Sequence, residues 1–484
     1  MSISERVAEY FDFEEYETTY RTELIAGLTT FLAMSYIIAV NPQILADAIL
    51  ADEAMADAYS RTQIVEMLAV VTILASVIAT VVMAFYAKRP FGLAPGMGLN
   101  AFFTYTVVVG LGIPWQTALA AVFVEGIIFI LLTAVGARRY LIELFPEPVK
   151  RGVGAGIGAF LLFLGLQEMN VVVSYPDGTL VQMGNIASDP VAIVAVVGLF
   201  LTFILWARDI RGSIVIGILT TALAGWALAL SGVSSRLAPE AQQDAIESDG
   251  LTGLLGAEYD FSPLFGAFYE GLQDIDPVVF ALVVFTFFFV DFFDTAGTLI
   301  GVSQIGGFLD SDGNLPEMEK PLMADAVGTT AGSILGTSTI TTFIESSTGL
   351  EEGGRTGFTA LAVSGFFLLS LLAVPLISAI PAYASYLALV VVGVIMLQGV
   401  VDIDWQDPAW AISGGLTILV MPMTTSIADG IAAGIIAYPI IKTAMGQIDE
   451  TRPGQWILAF LFIIYYYVTT SGLLESMTTI LLFH

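Results

Sequence analysis

Long apolar stretches, separated by short polar or charged segments, recur from residue 22 to the end of the chain. Most are roughly 18 to 25 residues long, the length that an α-helix needs to cross the hydrocarbon core of a bilayer. We number fourteen of them as spans 1 to 14: 22–48, 63–87, 91–110, 115–136, 151–169, 190–207, 212–230, 277–301, 322–336, 337–350, 356–380, 383–400, 408–423 and 427–445. A further apolar run follows Trp456. The pattern predicts an all-α polytopic membrane protein.

Spans 3 and 10 differ from the others. Span 3 contains Gly92-Leu-Ala-Pro-Gly-Met-Gly-Leu-Asn-Ala-Phe-Phe103, and its proline and glycines disfavour a continuous helix. Span 10 has β-branched or hydroxyl residues at 337–342, which favour an extended chain, and an acid at Glu345. Each span therefore predicts a short strand followed by a half-helix, which starts near Asn100 in span 3 and at Glu345 in span 10. A re-entrant structural loop is the alternative interpretation of span 10.

The two halves of the chain are predicted to be inverted repeats. Each half has an odd number of spans, so one half must be inverted relative to the other. With a cytoplasmic N-terminus, most Lys and Arg fall on the cytoplasmic side, and Arg61 and Arg236 fall outside. Non-helical backbone at bilayer depth is tolerated only against protein or a polar cavity. Two interrupted spans at matching positions therefore predict a transport site near the midplane.

Composition narrows the class of function. The chain is 56% hydrophobic and 13% charged, which excludes a soluble fold. Its net charge of −29 lies mostly in loops and ends, which argues against nucleic-acid binding and suggests a high-salt habitat. It has no cysteine, its one histidine is His484, and it has no phosphate-binding loop, so we expect no cofactor, no metal site and no enzyme activity.

Ionisable residues inside spans are costly and are therefore candidates for function. Glu345 is the first candidate. Asp291 and Asp294 are three residues apart in an aromatic span and project from one side of a helix. We assign Asp291 to substrate binding and Asp294 to a coupling or structural role. Four further acids are assigned to helix ends or structural hydrogen bonds: Glu66, Glu125, Asp325 and Asp429.

Two other motifs are assigned to structure. Gly152-Val-Gly-Ala-Gly-Ile-Gly-Ala159 has the spacing of a dinucleotide fingerprint, but no strand precedes it, so close helix packing is the better interpretation. Asn41-Pro42 is interpreted as a helix terminus.

Several long motifs resemble the azaguanine-resistance type purine permeases, which are related to the xanthine/uracil permeases. They include the segment 22–42, Ala94-Pro-Gly-Met-Gly-Leu-Asn-Ala-Phe-Phe103, Asp291-Phe-Phe-Asp-Thr-Ala-Gly-Thr298, the segment 336–346 and Gly353-Gly-Arg-Thr-Gly357. The resemblance covers nearly the whole chain. It implies a core domain of spans 1 to 4 and 8 to 11, a gate domain of spans 5 to 7 and 12 to 14, and a base bound between the half-helices of spans 3 and 10.

The resemblance also assigns residues. By motif position, the superfamily's substrate-binding acids of spans 8 and 10 correspond to Asp291 and Glu345, and its span 3 motif corresponds to Gly98 and Asn100. Since a purine is a flat ring with donors and acceptors on its edge, we expect Phe343 to pack on its face while the carboxylates accept its N–H groups. Thr342 completes the expected site.

The expected organisation is as follows: an interfacial segment at 1–21, core at 22–136, gate at 150–231, an acidic extracellular loop at 232–276, core at 277–381, gate at 382–446 and an additional C-terminal helix at 454–484. We expect import of adenine, guanine or hypoxanthine across the plasma membrane by proton symport, with the core moving against the gate. A homodimer is left open. The alternatives are a carrier of uracil, xanthine or an anion on the same scaffold, and, from other classes, a channel or a membrane enzyme.

Overall fold

The structure, a computed structural model, describes residues 2–136, 145–175, 181–238, 259–273, 277–310 and 315–470. Helices of the first half are Ile3–Tyr10, Tyr20–Met34, Ile37–Ile49, Glu53–Ala58, Arg61–Val82, Met97–Ala101, Trp115–Ala134, Glu147–Glu168, Pro190–Ala207 and Ser213–Leu230. The π-helical turns Met83–Ala87 and Phe102–Gly110 extend spans 2 and 3. Span 1 consists of Tyr20–Met34 and Ile37–Ile49, joined at Ser35 and Tyr36.

The second half repeats this organisation. Its helices are Phe268–Gly271, Pro277–Gly306, Glu319–Leu335, Ser346–Glu351, Gly357–Ser370, Val374–Ser378, Ala382–Met396, Pro408–Thr424, Ile427–Ala444 and Pro453–Thr470. Short 3-10 turns occur at Ile186–Ser188, Ser235–Leu237, Leu371–Ala373, Leu397–Asp402 and Ile448–Glu450. Ten helical segments of the described chain are long and apolar enough to cross a membrane. The predicted helical membrane fold is confirmed.

Side-chain caps mark several helix starts. The side chain of Ser60 accepts a hydrogen bond from the backbone N–H of Gln63, and the side-chain oxygen of Gln63 accepts one from the backbone N–H of Ser60 at 2.9 Å. Asp52 caps the short helix that follows span 1 and also accepts hydrogen bonds from Trp115 and Gln116, each at 3.1 Å. These caps fix the loop between spans 1 and 2 against the start of span 4.

The two interrupted spans cross each other through a short antiparallel sheet. Strands β1, Leu93–Pro95, and β4, Ile340–Thr342, pair with Leu93 opposite Thr342 and Pro95 opposite Ile340. The backbone amide of Gly96 continues the pairing by donating to Thr339 at 3.0 Å. The predicted strand and half-helix of each span are thus present, and the sheet satisfies the backbone groups that a helix would otherwise satisfy. The half-helix of span 3 begins at Met97, three residues before the predicted start.

Two further details differ from the predictions. Asn41 and Pro42 lie inside the helix Ile37–Ile49 rather than at a terminus. A hairpin of β2, Val172–Ser174, and β3, Val181–Met183, lies between spans 5 and 6, and the pattern of apolar runs did not predict it. Most of the acidic loop, residues 239–258 and 274–276, lies outside the described residues, and so do residues 471–484 of the additional C-terminal helix.

The glycine-rich face of span 5 packs on spans 12 and 13. A Cβ atom on Gly156 would lie 2.6 Å from Met421 Sδ, and one on Gly158 would lie 2.8 Å from the carbonyl of Gly393. Close helix packing, the preferred interpretation of this motif, is therefore what the structure shows. Gly156 and Gly158 thus face spans 13 and 12, which the sequence assigns to the same domain as span 5.

Candidate substrate site

Glu345 lies at the crossing of the interrupted spans, at the start of the half-helix Ser346–Glu351. Its side chain is half-buried. Tyr36, at the break in span 1, donates a hydrogen bond to Glu345 Oε1 at 2.7 Å. The ring of Phe343 lies 6.4 Å from the ring of Tyr36. A carboxylate acceptor and two aromatic rings are thus brought together at one point, which is a chemistry suited to a flat, polar-edged ligand.

Asp294 and Asp291 lie in different surroundings although they share span 8. Asp294 is half-buried and interacts electrostatically with Glu345. Asp291 is 0% exposed, accepts a hydrogen bond from Thr295 at 3.4 Å and faces Glu125 of span 4. The substrate role predicted for Asp291 stays a prediction. The placement favours exchanging the two roles, because Asp294 is the acid that interacts with Glu345.

The half-helix of span 3 contributes Asn100 and Gly98. Asn100 is fully buried, and its Oδ1 accepts a hydrogen bond from Ser338, two residues before strand β4. The Nδ2 atom of Asn100 has no hydrogen-bond partner among the described residues. Gly98 approaches span 5 closely, because a Cβ atom there would lie 2.7 Å from Ile157 Cγ2. Asn100 therefore offers a free donor, and Gly98 permits contact between spans 3 and 5.

Strand β4 separates two polar regions. Alternate residues of a strand project to opposite faces. Thr341 exchanges a hydrogen bond of 2.8 Å with Thr295 of span 8, whereas the hydroxyl of Thr342 has no partner within the described part of the chain. Thr342 and Thr341 thus lie back to back, and Thr341 connects the strand to the buried acids of span 8.

Some polar residues near the site were not predicted. The sequence pattern did not indicate a role for Tyr36, because a tyrosine within an apolar span is common. Asn41 donates to Thr72 at 2.7 Å and to Thr337 at 3.1 Å, which ties span 1 to spans 2 and 10. Its position next to a proline was the only available signal.

Asp47 lies in a second polar cluster, away from Glu345, towards one end of the spans. Its Oδ2 atom accepts hydrogen bonds from Tyr105 at 2.8 Å and from Tyr386 at 3.2 Å, and its Oδ1 atom pairs with Arg61 at 2.6 Å. The two tyrosine hydroxyls are 2.9 Å apart. Because Tyr386 belongs to span 12 and the other three to spans 1 to 3, this Asp47 cluster joins two groups of spans. A cavity of about 470 Å³ adjoins it, lined in part by Arg61 and Glu168.

Relatives of known name cover almost the whole chain. A protein of Methanocaldococcus jannaschii described only as a permease is 43% identical over 95% of this chain and 98% of its own length. A guanine/hypoxanthine permease of Bacillus subtilis is 39% identical over 94% of this chain and 98% of its own. An adenine permease of Escherichia coli is 37% identical over 94% of both chains.

Solved structures confirm the fold class. The transmembrane domain of the bicarbonate transporter BicA of a cyanobacterium covers 86% of this chain and 97% of its own, with a TM-score of 0.57 and 16% identity. The murine anion transporter Slc26a9 gives a TM-score of 0.55 at 13% identity. At these identities the likeness concerns the fold alone, which is the predicted arrangement of two inverted repeats of seven spans. The model of the permease family matches residues 21–467, and the chain therefore belongs to this family, the xanthine/uracil permeases.

Proposed function

We propose that this protein imports purine nucleobases, namely adenine, guanine or hypoxanthine, by secondary active transport. The observation that carries the proposal is the half-buried Glu345 at the crossing of two interrupted spans, held by Tyr36 and flanked by Phe343. The names of the bacterial relatives support the same substrate class. The proposed localisation is the plasma membrane, with a cytoplasmic N-terminus.

The base is proposed to be bound by Glu345 and Asp294. A neutral purine presents ring and exocyclic N–H groups that a carboxylate accepts well, and charge-assisted hydrogen bonds are about twice as strong as neutral ones. The free Nδ2 of Asn100 and the free hydroxyl of Thr342 supply donors for the purine's ring nitrogens or carbonyl. Phe343 packs on the ring face. Asp291, the acid first assigned to the substrate, then lies behind the site.

Alternating access is proposed to move a core of spans 1 to 4 and 8 to 11 against a gate of spans 5 to 7 and 12 to 14. Contacts support this division: span 9 packs on spans 2 and 4, and span 5 packs on spans 12 and 13. Gly98 of the core meets Ile157 of the gate beside the site. Both half-helices belong to the core, so the base would travel with it.

An anion is a poorer candidate for the substrate, although anion transporters share the fold. Two carboxylates at the site repel a negative charge, and the repulsion between unit charges about 4 Å apart is on the order of 4 kcal/mol at a protein-like dielectric. A neutral base avoids this cost.

Uptake into proteoliposomes tests the proposal. Radiolabelled adenine, guanine and hypoxanthine are offered under an imposed proton or sodium gradient, with unlabelled uracil, xanthine and bicarbonate as competitors. We expect saturable uptake of at least one purine that uracil and bicarbonate do not inhibit. Absence of purine uptake under either gradient would contradict the proposal, and uptake that bicarbonate inhibits would favour the anion alternative.

A further inference from the structure

Glu125 lies in the middle of span 4 and is 0% exposed. Neither of its carboxyl oxygens has a hydrogen-bond partner among the described residues, and the same is true of Asp291 Oδ2. The two side chains face each other from spans 4 and 8, near enough to hydrogen-bond if one of them carries a proton. Ionised carboxylates only accept hydrogen bonds, so two of them cannot satisfy one another.

Donors around this pair are scarce. Thr295 lies 3.4 Å from Asp291 Oδ1, but its hydroxyl also lies 3.1 Å from Asp325 Oδ1 and 2.8 Å from the hydroxyl of Thr341. A hydroxyl donates only one hydrogen bond, so Thr295 cannot satisfy both acids. Glu125 receives none of these bonds. The pair is therefore one donor short unless it binds a proton.

The charged groups around the pair are acids. Asp325 of span 9 interacts electrostatically with Glu125, and Asp294 of span 8 interacts electrostatically with Asp291. The short helix Phe268–Gly271 also packs on span 4, near Gln116 and Phe123, and its titratable residues Tyr269 and Glu270 are exposed. In the π-helical turn of span 3, which packs on span 4 as well, the titratable residue is Tyr105, which bonds to Asp47. Within the described chain no Lys or Arg pairs with Glu125 or Asp291. Asp325 and Asp294 therefore oppose a second negative charge at the pair, and a bound proton removes this repulsion.

We propose that Glu125 and Asp291 form the binding site of the coupling proton, which they hold between their carboxyl groups. This inference rests on the proposed function and adds to it the identity and place of the coupled ion. The proton site and the substrate site are connected in two ways. Asp294 interacts electrostatically with both Asp291 and Glu345, and Thr295 forms a hydrogen bond with Thr341 of strand β4. A proton at the pair lowers the negative charge that Asp294 and the substrate site experience.

Linkage then gives a quantitative expectation. If the proton strengthens binding of the base, the base must strengthen binding of the proton by the same factor. The Kd of the wild-type protein for its base should therefore rise with pH, by up to tenfold per pH unit where the pair loses its proton. Glu125→Gln supplies the missing donor permanently, so its Kd should be independent of pH and its uptake should no longer respond to a proton gradient.

The test uses the full chain in proteoliposomes. Glu66→Gln is the matched control, because Glu66 is a half-buried acid of span 2 that accepts a hydrogen bond from Ser378 at 2.8 Å, remote from the pair. Two rates are measured for each variant: accumulation driven by a pH gradient, and counterflow of labelled base at equal pH. We expect Glu125→Gln to lose accumulation and keep counterflow, Glu66→Gln to keep both, and Glu125→Asp, which can still bind a proton, to recover part of the accumulation.

Several outcomes would overturn the inference. Normal gradient-driven accumulation by Glu125→Gln, or a Kd that still changes with pH in this variant, would show that the pair does not bind the coupling proton. Wild-type accumulation driven by sodium alone would do the same while leaving the proposed function intact. If Glu125→Gln does not fold, the pH dependence of the wild-type Kd decides: a flat profile between pH 5 and 9 refutes the site. Absence of purine uptake by the wild type would instead refute the proposed function.

Discussion

Replacement of Glu345 by Gln tests the substrate site. Glu345→Gln preserves the size of the side chain but removes its charge and replaces one acceptor oxygen by a donor. A hydrogen bond to a charged group contributes on the order of 1.5 to 3 kcal/mol, so the Kd for the base should rise by roughly 10- to 150-fold. The loss should fall at the upper end, because the new NH₂ group faces an N–H of the base.

Tyr36→Phe removes the hydroxyl that donates a hydrogen bond to the carboxylate of Glu345. Tyr36 is buried, and its hydroxyl holds Glu345 Oε1 at 2.7 Å. Removing one hydrogen bond costs about 1 kcal/mol, so we expect an increase of about fivefold in Kd, smaller than for Glu345→Gln.

The assay is equilibrium binding of labelled hypoxanthine to purified protein, with Glu66→Gln and Asp429→Asn as controls. Both control acids are half-buried and lie outside the crossing of spans 3 and 10. Their Kd values should stay within about twofold of wild type, which corresponds to less than about 0.5 kcal/mol. Unchanged binding by Glu345→Gln would refute the assignment of this residue to the site.

Three further predictions concern other parts of the fold. Gly156→Leu should lower the melting temperature, since overpacking costs typically about 1 to 3 kcal/mol, whereas Gly154→Leu, with no atom within 4 Å of its Cβ position, should not; thermal unfolding compares the two, and equal effects would contradict the packing argument. Burial raises the pKa of Asp52, but hydrogen bonds from side chains at the start of span 4 outweigh this effect and lower the pKa. The stability of the protein should therefore fall as the pH drops below about 4, and it should fall less steeply in Asp52→Asn. Thermal unfolding at graded pH measures this difference. Tyr386→Phe removes one hydrogen bond of the Asp47 cluster, which contributes about 1 kcal/mol. Because the chain has no natural cysteine, a single cysteine can be introduced at the substrate site, and its labelling rate should rise about fivefold in this variant. An unchanged labelling rate would show that the cluster does not hold the spans closed.

The pattern of apolar runs was sufficient to predict the spans, because bilayer thickness constrains helix length strongly. The interruptions of spans 3 and 10 were also predictable, since Pro95 and the residues 337–342 disfavour helix locally. The start of the half-helix at Met97 was not, because the preceding Gly96 joins the sheet through a bond to a residue distant in sequence.

Long-range contacts explain the other differences. Pro42 remains inside a helix, because in a membrane bundle neighbouring polar groups satisfy the backbone that proline leaves free. The surroundings of Glu125 depend on which residue of another span it faces, whereas sequence position alone assigned it to a helix end or a structural hydrogen bond. The different surroundings of Asp291 and Asp294, three residues apart on one helix, likewise depend on the neighbouring spans 4 and 10.

The most direct test of the central claim is the position of a bound base. An electron cryomicroscopy map of the full chain in nanodiscs with a saturating purine should show a flat density between the half-helices of spans 3 and 10, within hydrogen-bond distance of Glu345 and beside the ring of Phe343. A map of the ligand-free protein is the control. Purine density at another place, with the crossing of the two spans unchanged between the maps, would contradict the account.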